Sequence, residues 1–343
     1  MKKLHAVFYA LIFFSYSINA QPVFKNLVME GGGIRGIAYI GAMEILDSAG
    51  MLDSIERVGG TSAGAIQACL LAVGYTPAEI RTLLEETSFK KFNDGSFLGV
   101  PGALRLSKKM GWYKGEALLQ WLEDRIAAKT NNPNITFQQL YEQRKKYGGM
   151  ALYTTGTDLS WQKLRVFSHE TYPNMRIADA VRISSNIPFY FQPIWIDQEG
   201  RCFETNDSLS TRSLLVDGGV LSNYPLSLFD SSNYIQKQSL NQFVYNPETL
   251  GLQLEEPWLV DSPETRRTRA FPIDDNGSYL KAIYKLLVDK PVYDANRTIL
   301  ISNLALSPRI RKLPKHDVEM LLASGREAAR KFLHTSPQHA KAP

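Results

Sequence analysis

This chain of 343 residues has little histidine and less cysteine, five of the first and two of the second. Neither Cys69 nor Cys202 has a metal-ligand partner at useful spacing, which excludes the usual zinc arrangements. Cys69 falls in an apolar helical pattern, where a buried free thiol is the common state; pairing with Cys202 stays open in an oxidising compartment. The histidines are badly placed for general-base work. His5 lies in the first twenty residues, His169 follows a strand in a polar turn, His316 begins a helix near lysines, and His334 and His339 lie in the tail. A hydrolase triad in the order serine, acid, histidine therefore lacks a good third member. Net charge is also small. The formal value of +5 becomes +3 (5 − 2) once Lys2 and Lys3 are removed with the leader, too little to imply a nucleic-acid partner. After residue 20 no apolar run is long enough to cross a membrane.

The first twenty residues themselves read as a secretory signal. Lys2 and Lys3 precede an apolar run from Ala6 to Phe14, and Ser15 to Ala20 supplies a polar, small-residue end, with cleavage expected after Ala20. The run is too short to span a bilayer, and a buried first helix is the plainer alternative. Export implies a periplasmic or secreted protein, and the absence of a cysteine near the cut argues against a lipoprotein.

From Phe24 onward the pattern is α/β. Asn26–Glu30 is a short apolar strand ending in three glycines, followed by helical periodicity from Ile34 to Leu52. Ser54–Val58 reads as a second strand, and Ala63–Val73 as a second helix stopped by Gly74. Thr76 and Pro77 cap a helix to Ser88; helical signals recur at Gly115–Lys129 and Thr136–Tyr147, then a strand at Met150–Thr155. Strands alternating with helices predict a mostly parallel sheet with helices on both faces, a three-layer α/β/α arrangement. Further on, Gln162–Ser168 and Arg212–Asp217 look like strands and Arg176–Ser185 like a helix broken before Pro188. Residues 231–277 are polar and aperiodic, and are expected to form a lid or surface insertion on a core spanning 24–230. Ser278–Val288 and His316–Leu333 close the chain as helices, with 334–343 as a tail.

Three glycine motifs carry the chemistry. A serine hydroxyl needs presentation, a base, and a site that holds the oxyanion. Gly60-Thr61-Ser62-Ala63-Gly64, between strand and helix, has the form of a nucleophile elbow, although Thr61 or Ser62 would also serve as a plain helix cap. Gly31-Gly32-Gly33-Ile34-Arg35-Gly36 leaves backbone N–H groups unshielded at a helix start, where negative charge is welcome. The same stretch fits the dinucleotide fingerprint through Gly31, Gly33 and Gly36, but the following strand ends in Gly59-Gly60-Thr61-Ser62 rather than in the acidic residue a ribose requires. Asp217 ends the apolar strand Ser213–Val216 before Gly218 and Gly219; it can act as a base if burial raises its pKa, or it is a turn residue.

These residues resemble the bacterial patatin-like phospholipases, whose oxyanion loop G-G-G-x-[RK]-G, elbow G-x-S-x-G and downstream D-G-[GA] stand here in order. The resemblance covers roughly Phe24 to Ser227, weakly also His316–Leu333, and includes Thr155–Leu159, Ala178–Arg182 and Ser185–Phe191. It implies a Ser-Asp dyad with Ser62 as nucleophile and Asp217 as base, which accounts for the missing histidine. It further implies an oxyanion site at Gly31, Gly32 and Gly33 with Arg35 nearby, and elbow glycines Gly60 and Gly64. No cofactor or metal is implied. The expected activity is hydrolysis of lipid carboxyl esters, foremost phospholipids, at a membrane surface. Basic clusters such as Lys108-Lys109, Arg144-Lys145-Lys146 and Arg266-Arg267 suit an anionic lipid surface or are simply solvated faces. Trp112, Tyr113, Tyr190, Phe191 and Trp195 are expected to line an acyl pocket, meet lipid, or pack in the core. Two alternatives remain: an effector-type lipase needing a host activator protein, and a nucleotide binder using Gly31–Gly36.

Overall fold

A computed structural model describes residues 24–95, 100–205, 211–235, 242–261, 273 and 294–335. The leader at 1–20, the helix expected over 278–288 and the Arg266-Arg267 cluster lie outside them, as does most of the tail.

The chain first lays down β1 (Asn26–Met29), a 3-10 turn at Gly33–Gly36, α1 (Ile37–Ser48), β2 (Arg57–Gly60), α2 (Ala63–Ala72) and α3 (Pro77–Glu86). Next come α4 (Val100–Lys109), β3 (Gly111–Tyr113), α5 (Glu116–Thr130), α6 (Phe137–Tyr147), β4 (Ala151–Asp158), β5 (Lys163–Phe167) and α7 (Ile177–Ser184). The remainder is β6 (Phe189–Phe191), β7 (Ile194–Ile196), β8 (Cys202–Phe203), β9 (Ser213–Asp217), α8 (Ser232–Ile235), β10 (Thr249–Glu255), α9 (Pro257–Asp261), β11 (Thr298–Ser302) and α10 (Lys315–Thr335). Local chemistry starts the helices where expected. Thr76 accepts from Glu79 N (3.2 Å) while Glu79 accepts from Thr76 N (2.9 Å), with Pro77 in the first turn. Thr136 and Gln139 repeat the same reciprocal cap.

The main sheet runs β11-β10-β1-β2-β4-β9-β7-β8, with β5 also paired to β4. Strands β11, β10, β1, β2 and β4 are parallel; β9, β7, β8 and β5 join antiparallel. Alternation along the strands feeds two unequal layers. Leu27, Met29 and Leu152 enter the large core under α1, α2, α7 and α10, whereas Val28, Ala151 and Tyr153 meet Phe229 and the thinner cover from Tyr141, Leu228 and Tyr234. Helix α10 lies backbone to backbone on α1: a methyl on Gly41 would collide with the Leu322 carbonyl, and one on Gly325 with that of Ala38.

Two expectations need correction. The stretch 231–277 is not an aperiodic lid throughout, because Thr249–Glu255 is an inner strand of the sheet, between β1 and the edge strand β11. Leu250, Leu252 and Leu254 fill one core, but the other face carries Thr249, Gly251 and Gln253, buried all the same, so no apolar run announced the strand. A buried ion pair anchors this region: Arg297 binds both oxygens of Asp230 (2.6 and 2.8 Å) and the Asn246 carbonyl (3.0 Å). The tail begins later than 334, since α10 reaches Thr335. The pairing that the sequence left open is absent: Cys69 and Cys202 are both free, Cys69 buried as its apolar helical setting suggests and Cys202 half-buried.

Candidate active site

The parallel register brings the motifs together. Met29 pairs with Gly60, and Gly60 with Thr154, so the glycine loop after β1 and the turn after β2 leave the sheet side by side. Strand β9 runs the other way and pairs Asp217 with Gly156, two residues beyond Thr154 on β4. Ser62 and Asp217 thus arrive at one level of the sheet from opposite strand directions.

The turn at Ser62 is sharp and strained. Its φ of 53° and ψ of −118° are unfavourable for a residue with a side chain, at roughly 1–3 kcal/mol. The glycines on either side explain the motif: a methyl on Gly60 would stand 2.6 Å from the Gly64 carbonyl carbon, and one on Gly64 would collide with the Met29 carbonyl. Neighbours hold the strained peptide. Ser62 N–H donates to Ser184 Oγ (3.1 Å), while its carbonyl accepts from Ile66 N (3.0 Å) and from Ser185 Oγ (3.4 Å). Ser62 is the N-cap residue of α2, where helix amides favour developing negative charge.

Asp217 is almost fully buried, at 5% exposure. Burial pushes its carboxyl up from 3.8 to about 7, against smaller lowering effects from the Gly219 N–H and from the hydrogen-bonding Ser62 hydroxyl. Gly219 N donates to Oδ1 at 2.7 Å, and Asp217 N–H donates to the Asn186 carbonyl at 3.0 Å. The carboxylate caps a 3-10 turn at Gly218–Val220, so the turn role open to this residue in the sequence is filled, and it leaves the carboxyl within hydrogen-bond reach of the Ser62 hydroxyl. The end of α7 therefore braces both residues, Ser184 and Ser185 at Ser62 and Asn186 at Asp217.

The glycine loop divides its amides unequally. Gly31 N–H donates to the Asn223 carbonyl (3.0 Å) and Ile34 N–H to that of Pro308 (3.3 Å), which removes Gly31 from the expected oxyanion donors. No acceptor for the N–H of Gly32 or Gly33 exists among the described residues. Arg35 does not stand as a bare charge beside the serine. Its Nε donates to the Gly32 carbonyl (3.2 Å), and because N–H and C=O point oppositely across a trans peptide, this bond fixes the direction of the Gly33 N–H. Gly33 itself has φ of 56° and sits where a methyl would collide with the Pro308 carbonyl.

Asn223 was not singled out from the sequence, where it reads as an ordinary turn residue before Tyr224-Pro225. In the structure its side chain donates to the Gly31 carbonyl (3.0 Å) and to Glu30 Oε1 (3.3 Å), while buried Glu30 accepts from Leu254 N on β10 (2.8 Å). Only these long-range approaches reveal its part. Thr61, between the elbow glycine and the serine, is tied to Thr155 (2.6 Å) and to the Ser222 carbonyl (3.0 Å). His169 stacks on Tyr141 at 3.6 Å beneath the thinner layer, with Glu170 opposite. Tyr113, Tyr190 and Phe191 pack on one another, and Trp195 lies half-buried in β7. No three His, Cys, Asp or Glu side chains converge on a metal position among the described residues.

The family model of the patatin-like phospholipases matches residues 27–230, and the chain belongs to that family. It is 35% identical over 212 residues to YqhO of Bacillus subtilis, covering 59% of this chain and 65% of that protein. A probable lipid hydrolase of Invertebrate iridescent virus 6 is 28% identical over 216 residues, covering 62% of this chain and 66% of the relative. The match thus spans less than two thirds of these relatives' length, and with viruses as well as bacteria among them the match does not assign the chain a bacterial origin. The crystal structure of VipD from Legionella pneumophila shares the fold at 18% identity, with a TM-score of 0.57 over 92% of this chain and 67% of that one.

Proposed function

We propose that the protein is a serine lipid acyl hydrolase of phospholipase A type, working through a Ser62–Asp217 dyad. The observation that carries this reading is the pairing of a strained serine with a buried carboxylate whose pKa stands at about 7, high enough to take a proton and low enough to be free of one at neutral pH. In the first step Asp217 accepts the Ser62 proton as Oγ bonds to the ester carbonyl carbon. The Gly32 and Gly33 amides receive the oxyanion. Collapse breaks the ester C–O bond, and Asp217 returns the proton to the departing glycerol oxygen, leaving an acyl-serine. Water then attacks that acyl group, gives its proton to Asp217, and releases the fatty acid as Ser62 is reprotonated.

The nucleotide reading draws less support, because two amides of the Gly31–Gly36 loop already serve Asn223 and Pro308. The viral relative, a probable lipid hydrolase, agrees with ester hydrolysis in lipids. Export through the leader would put the activity in the periplasm or outside the cell. The test is fatty acid release from mixed phospholipid vesicles by the parent, Ser62→Ala and Asp217→Asn proteins. Activity that both substitutions abolish, with circular dichroism unchanged, is the expected result. Activity that survives Ser62→Ala refutes the mechanism, and activity seen only with host extract would favour the effector-type alternative.

A further inference from the structure

Two acid-free, basic stretches meet beside the serine site. From Gly95 to Gly115 the chain carries Arg105, Lys108, Lys109 and Lys114 with no acidic residue; from Ser302 to Lys315 it carries Arg309, Arg311, Lys312 and Lys315, again with none. The second stretch passes the glycine loop, where Pro308 accepts from Ile34 N. The first ends in β3, which pairs with β6, and β6 follows closely on the Ser184–Asn186 brace. Tyr190 joins the two: its ring lies 4.8 Å from that of Tyr113, and the charge of Arg309 reaches its hydroxyl.

Large apolar side chains stand exposed on the same two-stranded sheet and the helix before it. Phe189 is 72% exposed, Leu104 58% and Met110 44%. Phe189 and Met110 also have φ of 65° and 59°, a region that bulky residues rarely occupy, and Gly111 beside Met110 pairs directly with Phe189. A strained backbone that turns a phenylalanine into water gains no packing in the free protein, which points to an external partner. Lys109 and Lys114 make exposed ion pairs with Glu204 (3.4 Å) and Glu116 (3.3 Å). Lys108, Arg309, Arg311, Lys312 and Lys315 have no acidic partner among the described residues, and all five are exposed.

We propose that this face docks the protein on an anionic phospholipid bilayer, with Phe189 and Met110 in the interface and the basic residues against lipid phosphates. It rests on the lipid-hydrolase reading only for its purpose, which is to bring Ser62 to a membrane; the docking itself is tested without catalysis. The Ser62→Ala protein is sedimented with vesicles of phosphatidylcholine alone and with about 30 mol% phosphatidylglycerol added, at low and high salt. Expected is binding to the anionic vesicles at least about tenfold tighter than to neutral ones and weakened by salt. Lys108→Glu combined with Arg311→Glu, both on exposed positions, lowers that affinity by about tenfold or more, and Phe189→Ser lowers it several-fold. Thermal melting curves matching that of Ser62→Ala verify folding. Equal binding to neutral and anionic vesicles, or binding that ignores the charge reversals, overturns the proposal; failure to bind vesicles at all overturns it in favour of a protein partner on the same face.

Discussion

Replacing Asp217 by asparagine removes a buried titrating group while keeping its shape, so stability should respond to pH in a direction fixed by the structure. The native carboxyl stands at about 7 because burial disfavours its charge; in the unfolded chain it returns to the ordinary value of 3.8. Between these values the native state holds the proton more tightly, so the parent's stability contribution from this group is full below pH 4 and is lost as pH rises through 7. The complete span corresponds to roughly 4 kcal/mol, of which about 2–3 kcal/mol is lost between pH 5 and pH 8. Asparagine does not titrate, and its side-chain oxygen can still accept from Gly219 N. The Asp217→Asn protein should therefore gain about 2–3 kcal/mol relative to the parent on going from pH 5 to pH 8, or about 4 °C in melting temperature. Paired melts of both proteins at the two pH values measure this, and every other titrating group cancels in the double difference. A difference within about 0.5 kcal/mol of zero, or of opposite sign, would show that the carboxylate is not held at a raised pKa.

Three more expectations concern the site. The value of kcat/KM on a soluble ester should climb about tenfold per pH unit below neutrality and level off above an apparent pKa near 7, as Asp217 loses its proton; a profile flat from pH 5 to 8 contradicts its role as base. Gly33→Ala places a methyl against the Pro308 carbonyl at φ of 56°, which turns away one of the two amides proposed to hold the oxyanion; kcat should fall about 100- to 1,000-fold with folding retained, read from ester hydrolysis and circular dichroism together. Asn223→Ala removes the donor to the Gly31 carbonyl and Glu30, and as a positioning change it should lower kcat by about 10- to 100-fold while KM moves little; a rise in KM alone would assign Asn223 to substrate binding instead.

The part of this protein that its sequence determines is the part set within a few residues. Three glycine motifs, a serine between small neighbours and an aspartate at a strand's end declare themselves because each depends on local backbone: a turn too tight for Cβ atoms at Gly60 and Gly64, and an elbow strained at Ser62. Reciprocal caps at Thr76 and Thr136 are of the same kind. Tertiary structure alone decided the rest. In β10 the alternation of Leu250, Leu252 and Leu254 with Thr249, Gly251 and Gln253 is in the letters, but that the second face is buried as well is a property of neighbours such as Tyr224 and Leu226. The glycine amides look alike in sequence, but Gly31 is taken by Asn223, which lies 192 residues away, and Glu30 is held by a β10 amide 224 residues away. The pKa of Asp217 likewise comes from the desolvation that the assembled core imposes, and no reading of Asp-Gly-Gly could supply it. Short-range sterics are written in the chain; hydrogen-bond partners and dielectric are not fixed until distant segments pack together.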